Sequence, residues 1–374
     1  LGIQGARQVG KSSLIRDLMP LSMNGLHYET FDQRSVYEFA LNNPEAFIAA
    51  KTPDNGTLAI DEAQKVPQIF DAVKYSVDQN RVPGKYILLG STEFSKRTLI
   101  REPLTGRMAM LRLYPFTVGE CLSLKFEGSN SALSINDKSR ITRTQLMKHL
   151  SNGGMPGAFH IRDDETKNIF FKEWIGLVIM RDLALIPRIK VDPIIADAIL
   201  EKIAQLEEPT AGHIAKALKI DLRRIKTHLD CLETLFIVHK IMPHPLGSGQ
   251  PMYLHCDVGL ANYLGASFEK RLYTWVYQEL LAHSQLHSNV HEKIYFYRSL
   301  KGSMINFVVE DRKQVTAIKL IAKESPTLLD IKGLQGFHKK KATDKRSWCM
   351  IALGPTTRHF KEENIKMYPW ESIG

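Results

Sequence analysis

The sequence predicts an α/β fold built around a phosphate-binding loop, continued by a helical middle and closed by a second α/β segment. Three observations predict it. A glycine–lysine loop, Gly5 to Ser12, sits between a short apolar strand and an amphipathic helix. A second apolar strand, from Thr57 to Ile60, runs into the paired carboxylates Asp61 and Glu62. Strand and helix patterns alternate again from about residue 265 to the end. The 374 residues leave room for two or three domains. With 44% apolar and 24% charged residues, the chain carries ordinary buried cores, and intrinsic disorder is not its default state.

Residues Gly5-Ala6-Arg7-Gln8-Val9-Gly10-Lys11-Ser12 match G-x-x-x-x-G-K-[ST]. Leu1-Gly2-Ile3 precedes them as a strand, and Ser13 to Met19 follows as a helix stopped by Pro20. In this setting the backbone N–H groups of Gly5 to Ser13 converge on phosphate oxygens. Lys11 reaches the β- and γ-phosphates, and the Ser12 hydroxyl ligates Mg²⁺. The second half of the site is expected at Asp61, which holds the Mg²⁺ through water, and Glu62, which orients and deprotonates an attacking water. The plainer alternative for these two is a strand that ends in solvated acids.

Leu26 to Asp32 alternates like a strand, so an extra strand intervenes in sequence between the two motifs. Lys85 to Thr92 is an apolar strand ending in hydroxyls. Ligands of open α/β sheets bind beyond the carboxyl ends of the strands, which makes Ser91 or Thr92 a candidate sensor of the γ-phosphate. A fifth strand is expected at Met108 to Leu113, with Arg107 just before it as a cation for the phosphates, in cis or from a neighbouring copy; a surface arginine is the alternative.

These segments, with Ile60-Asp61-Glu62-Ala63-Gln64, Leu89-Gly90-Ser91 and Leu104-Thr105-Gly106-Arg107, resemble the prokaryotic AAA+-type ATPases that carry a C-terminal domain of unknown function. Gly153-Gly154-Met155-Pro156, Arg181-Asp182 and Asp257-Val258-Gly259-Leu260 resemble later landmarks of that family. The likeness covers nearly the whole chain, less an N-terminal segment that is expected to be missing because the chain opens within a strand. It implies an AAA+ core that binds ATP rather than GTP, and it implies little about biological role.

Four domains are expected: an ATPase core over 1–125, a helical lid over 126–205, a winged helix-turn-helix over 206–264 and a terminal domain over 265–374. Phe126 to Ala132 is polar and turn-rich, a plausible loop, and the helices that follow break at Gly153 to Gly157 and at Pro187. Thr210 to Leu218 and Leu222 to Leu229 read as paired helices, with Asp221 capping the second and Ile237 to Ile241 and Pro251 to His255 forming a wing. Arg223, Arg224, Lys226 and His228 near the start of the second helix are candidate DNA contacts. A basic helix face used for solvation or protein contact is the competing reading.

The terminal order of helix, hairpin, strand, helix and strand resembles the PD-(D/E)xK restriction-endonuclease-like fold. What that resemblance implies for catalysis is not met here. The places of its metal carboxylates hold Asn306 and Lys319, and the place of its helical glutamate holds Thr274. Asn306 is a poor metal ligand and Lys319 repels a cation, so a degenerate, non-cleaving domain is expected.

The net charge is +10. From Gly265 onward there are 18 Lys+Arg against 11 Asp+Glu, so most of the excess lies there, with Lys339-Lys340-Lys341 and Lys345-Arg346 prominent. Such clusters suit a phosphate backbone, and a solvated basic loop explains them equally well. Four widely spaced cysteines argue against a disulfide framework or a zinc site and fit a reducing cytoplasm. No apolar run approaches the roughly 18 residues of a membrane helix. The leading expectation is an Mg²⁺-dependent ATP hydrolase, possible homo-oligomer included, whose nucleotide state repositions C-terminal binding domains. The alternative is a nucleotide-gated DNA- or protein-binding scaffold with little turnover. An ATP-dependent nuclease is disfavoured.

Overall fold

The computed structural model describes residues 1–19, 25–94, 106–124, 135, 139–183, 186, 191–286, 293–338, 346–360 and 365–373. Pro20, Leu104, Thr105, the loop expected at 126–132, Pro187, Lys339 to Lys341 and Lys345 lie outside the described residues. The chain divides into two compact units. The first comprises Leu1–Tyr114, Leu177–Val191 and Asp230–Ile237, and the second comprises Pro115–Gly176, Asp192–Leu229 and Val238–Gly374.

The first unit holds a parallel five-stranded sheet. Its strands are β1 (Gly2–Gln4), β2 (Leu26–Thr30), β3 (Thr57–Asp61), β4 (Tyr86–Gly90) and β5 (Met110–Arg112). They lie in the order β2-β3-β4-β1-β5. β3 and β4 are buried along their whole length, which explains their unbroken apolar runs: helices cover both faces. Leu58, Ile60 and Leu88 point to one core, where Phe31, Phe47 and Phe70 also pack. Ala59, Ile87 and Leu89 point to the other, with Ile3 and Ile15. The connections are α1 (Lys11–Ser13), continued by a π-helical turn over Leu14–Leu18, then α2 (Arg34–Asn42), α3 (Pro44–Lys51) and α4 (Gln68–Gln79). Because β4 lies between β1 and β3, the hydroxyl-bearing end of β4 falls between the phosphate loop and the two carboxylates. β5 pairs with β1 at the sheet edge, and its Met110 and Leu111 are exposed.

The second unit is built on an eight-stranded sheet. It contains α5 (Val118–Cys121), α6 (Arg143–Asn152), α7 (Asp164–Leu177), α8 (Pro193–Gln205), α9 (Ala211–Leu218), the start of α10 (Leu222–Thr234), β6 (Val238–Pro243), β7 (Met252–His255), α11 (Val258–Tyr263) and α12 (Phe268–Leu286). Then follow β8 (Lys293–Arg298), β9 (Met304–Glu310), β10 (Gln314–Leu320), α13 (Leu328–His338), β11 (Ser347–Gly354), β12 (Arg358–Phe360) and β13 (Ile365–Pro369). The strand order is β12-β13-β11-β10-β9-β8-β6-β7. α12 covers one face through Leu272, Trp275 and Val276, against Phe307 and Ile318. α13 covers the other through Ile331, Leu334 and Phe337, against Val308 and Ala317.

This division differs from the four expected domains in two places. The expected lid is split: Leu177–Val191 groups with the first unit, while Leu146 and Leu150 of α6 pack in the core of the second. The expected wing is not separate from the terminal sheet either. β6 and β7 pair antiparallel as a hairpin, but Met242 and Pro243 of β6 also pair with Tyr295 and Phe296 of β8, so one sheet runs across residue 265. A hairpin edge left with free N–H and C=O groups attracts another strand, and local patterning cannot reveal which.

Candidate functional site

The site forms at the carboxyl ends of β1, β3 and β4. Ala6 and Val9 of the phosphate loop are buried and serve packing. Gln8 and Gly10 both adopt left-handed backbone, with φ 62° and 95°, which curls the loop. Gly5 has a different role. A Cβ there meets the Leu113 carbonyl at 2.2 Å, so glycine is required by the close approach of the chain after β5. Lys11 Nζ donates to the carbonyls of Gly5 at 2.9 Å and Ala6 at 2.7 Å. Burial lowers its pKa to about 8, against the opposing pull of Glu62 and Asp61, and it stays cationic at neutral pH. Ser13 is exposed.

Ser12 Oγ donates to Asp61 Oδ2 at 2.6 Å. Two sequence-distant motifs are thereby joined. Asp61 is buried, and its oxygens also accept from Tyr28 Oη at 2.5 Å and from the Glu62 backbone N–H at 2.9 Å. A serine hydroxyl beside a carboxylate is an all-oxygen donor set that fits Mg²⁺. Glu62 occupies a left-handed backbone conformation, with φ 54° and ψ 37°. This strained turn aims its carboxylate along the sheet edge. There Ser91 Oγ donates to Glu62 Oε2 at 3.1 Å, and Gln64 Nε2 donates both to Glu62 Oε2 and to Ser91 Oγ. Ser91 and Gln64 are buried. Thr92 contributes through its backbone, its carbonyl accepting from Gln4 Nε2 at 3.0 Å.

Arg107 is not brought to this place. Its Nε donates to Asp78 of α4 at 2.6 Å, and it lines a hollow with Leu1, Gly84 and Lys85, at the amino ends of β1 and β4. The phosphate loop lies at the other end of these strands, so a role in cis does not fit. Arg7, inside the loop, lies 3.2 Å from Asp182. Burial raises the Asp182 pKa, while Arg7 works against that shift. Neighbouring Arg181 lies 3.7 Å from Asp32, which also pairs with Lys65.

Sequence reasoning gave no role to Tyr28, Gln64 or Asp182. Gln64 and Asp182 were visible only as motif letters. Tyr28 sits in register with Ala59, one strand over from Asp61. Only the β2–β3 pairing makes it a partner.

The candidate DNA contacts divide. Arg223 and Lys226 are exposed, and Arg224 pairs with Asp192 at 3.1 Å. His228 is 1% exposed, accepts from the Asp192 N–H at 3.0 Å and faces the Arg224 carbonyl at 2.7 Å. It holds the start of α8 and is not a surface contact. In the terminal sheet, Asn306 of β9 and Lys319 of β10 each lie one residue beyond the paired Phe307 and Ile318. Asn306 Oδ1 accepts from the Leu320 N–H at 2.9 Å, and Lys319 Nζ donates to the Met304 carbonyl at 2.9 Å. Thr274 bonds the Lys270 carbonyl within its own helix. Among the described residues there is no group of three or more His, Cys, Asp or Glu side chains that suits a metal ion. Nor is any described helix long and apolar enough to cross a membrane.

Residues 1–122 match the family described as AAA domain. Residues 143–271 and 264–373 match two families described as domains of unknown function, DUF8612 and DUF4143. Uncharacterized proteins of Mycobacterium bovis and Mycobacterium tuberculosis are each 25% identical over 244 residues, covering 64% of this chain and 49% of their own length. The chain thus spans about half the length of the curated relatives it matches. Two structures of the Thermotoga maritima RuvB protein align with TM-scores of 0.30 and 0.27, at 14% and 12% identity, over 64% of this chain and 80% of each of theirs. The N-terminal part is a nucleotide-binding fold of the P-loop ATPase type. The chain thus joins a segment that matches an AAA domain, residues 1–122, to one that matches the domain of unknown function DUF4143, residues 264–373.

Proposed function

We propose that the first unit binds ATP with Mg²⁺ and hydrolyses it, and that its nucleotide state governs what the second unit binds. The observation that carries this reading is the convergence of Lys11, Ser12, Asp61, Glu62 and Ser91 at one sheet edge, from three separate stretches of sequence. Lys11 and the loop N–H groups hold the phosphates. Ser12 and, through water, Asp61 hold the metal, which neutralises charge on the β- and γ-phosphates when bound. Tyr28 fixes the Asp61 carboxylate. Glu62, steadied by Ser91 and Gln64, orients a water for attack on the γ-phosphorus and accepts its proton as the bond to the ADP oxygen breaks. Arg107 serves as a cation only if a second copy presents it, which makes oligomeric state part of the proposal.

Lys11→Ala should abolish ATP binding, read by calorimetry. Glu62→Gln should keep binding and stop phosphate release. Hydrolysis unchanged in both variants sinks the reading. A second reading, a nucleotide-gated scaffold, is favoured by Asn306 and Lys319, whose side chains serve backbone groups where a nuclease needs metal ligands. Steady-state phosphate release with double-stranded DNA, single-stranded DNA and no nucleic acid separates the two. Tight ATP binding without release in all three favours the scaffold. The same titrations test whether exposed Arg223 and Lys226, with the basic end of the chain, contact DNA.

A further inference from the structure

A cavity of about 450 Å³ opens in the second unit between α5, α6 and the turn that follows α6. This lies within the roughly 300–1,000 Å³ typical of small-molecule sites. Val118, Leu122 and Phe159 give it an apolar wall. Lys148, His160 and Arg162 are exposed at its rim, and among the described residues no carboxylate lines it. His149 lines it too, although that residue is only 5% exposed, and its Nε2 is buried without a hydrogen-bond partner. Burial lowers the pKa of this imidazole to about 4, so it is neutral near pH 7.

The walls are held in place. Asn152 Nδ2 donates to the carbonyls of Phe159 and Ile161 at 3.3 and 2.9 Å, and its Oδ1 accepts from Lys167 Nζ at 3.1 Å. The turn is clamped from behind by Asp257, which accepts the Gly154 N–H at 2.7 Å and the Leu260 N–H at 3.0 Å. Behind α5 the buried carboxylate Glu279 accepts from the Val118 N–H and Trp275 Nε1 and lies 3.4 Å from His283.

We propose that this cavity binds a small organic anion with a flat apolar body. The anionic group lies at Lys148, His160 and Arg162, and the body packs on Phe159, Val118 and Leu122. A carboxylate and a phosphate ester share this chemistry.

The test is calorimetry on the full chain with three probes of one shape: naphthoate, naphthyl phosphate and the uncharged naphthalenemethanol. Both anions should bind about tenfold or more tightly than the alcohol. Lys148→Glu and Arg162→Glu, both surface changes, should each weaken the anions by about tenfold or more with unchanged circular dichroism. Lys11→Ala should leave naphthoate affinity unaltered, which separates this cavity from the phosphate loop. Whichever anion binds more tightly names the natural class. Equal binding of the alcohol, indifference to both charge reversals, or loss of binding in Lys11→Ala overturns the proposal, as does an absence of binding by either anion.

Discussion

Asp61 accepts two side-chain hydroxyls and one backbone N–H, and the least expected of the three is Tyr28. Burial first, and then the bond to Asp61, pushes the Tyr28 phenol above its ordinary range, so it remains a donor at any working pH. A hydrogen bond to a charged acceptor contributes about 1.5–3 kcal/mol. Tyr28→Phe is expected to lower ATP turnover by about tenfold while circular dichroism stays unchanged. Turnover equal to the parent protein removes Tyr28 from the site. Lys11, Ser12, Asp61 and Glu62 were legible in the sequence because their spacing within each motif is local. Tyr28 was not, because its role comes from a neighbouring strand. For Arg107 the sequence left a role in cis, a role from a neighbouring copy and a plain surface arginine open, because nearness in sequence to β5 does not say which end of the sheet a residue occupies; its place beside Asp78, Leu1 and Gly84 speaks against the first.

At the scale of elements, the Gly153-Gly154 turn and the α11 cap are one device. Asp257 caps α11 through Leu260 and reaches across to Gly154. A Cβ on Gly154 meets the Phe116 carbonyl at 2.0 Å, a backbone atom that cannot swing aside. Gly154→Ala should therefore lower the stability of the second unit by about 1–3 kcal/mol or more. Urea unfolding followed by tryptophan fluorescence reads this directly, since Trp174, Trp275, Trp348 and Trp370 are the only tryptophans of the chain and all lie in that unit. An unchanged midpoint contradicts the clamp. The sequence supplied these motif letters through family resemblance, without a reason for them. The reason is a contact between segments about a hundred residues apart. The strands of the first sheet were readable from apolar runs. The union of the β6–β7 hairpin with β8 was not, because strand pairing leaves no local mark.

For the molecule as a whole, buried histidines couple stability to pH. Burial lowers the pKa of His149 and His255 to about 4 from 6.5, and both lie in the second unit. Between pH 4 and 6.5 the unfolded chain binds more protons at these sites, so stability falls as pH drops through that window. Asp257, raised by burial to about 6 from 3.8, works in the opposite sense over most of the same range. Two histidines outweigh one carboxyl. His149→Gln should shrink the loss of unfolding free energy between pH 6.5 and 4.5 by about 2–3 kcal/mol, read by the same tryptophan signal. An identical pH slope in the variant contradicts this linkage. By itself the sequence determined the phosphate loop, the carboxylate pair, the α/β class and the order of the terminal helices and strands. All of these rest on local spacing and periodicity, which a linear chain displays. Only the tertiary structure decided that Ser91 and Gln64 steady Glu62, that Tyr28 serves Asp61, that Arg107 lies away from the phosphate loop, that His228 is interior, and that a cavity opens beside His149. Each depends on which strands and helices pair, and those non-local contacts are set by burial of whole faces rather than by any short stretch of residues.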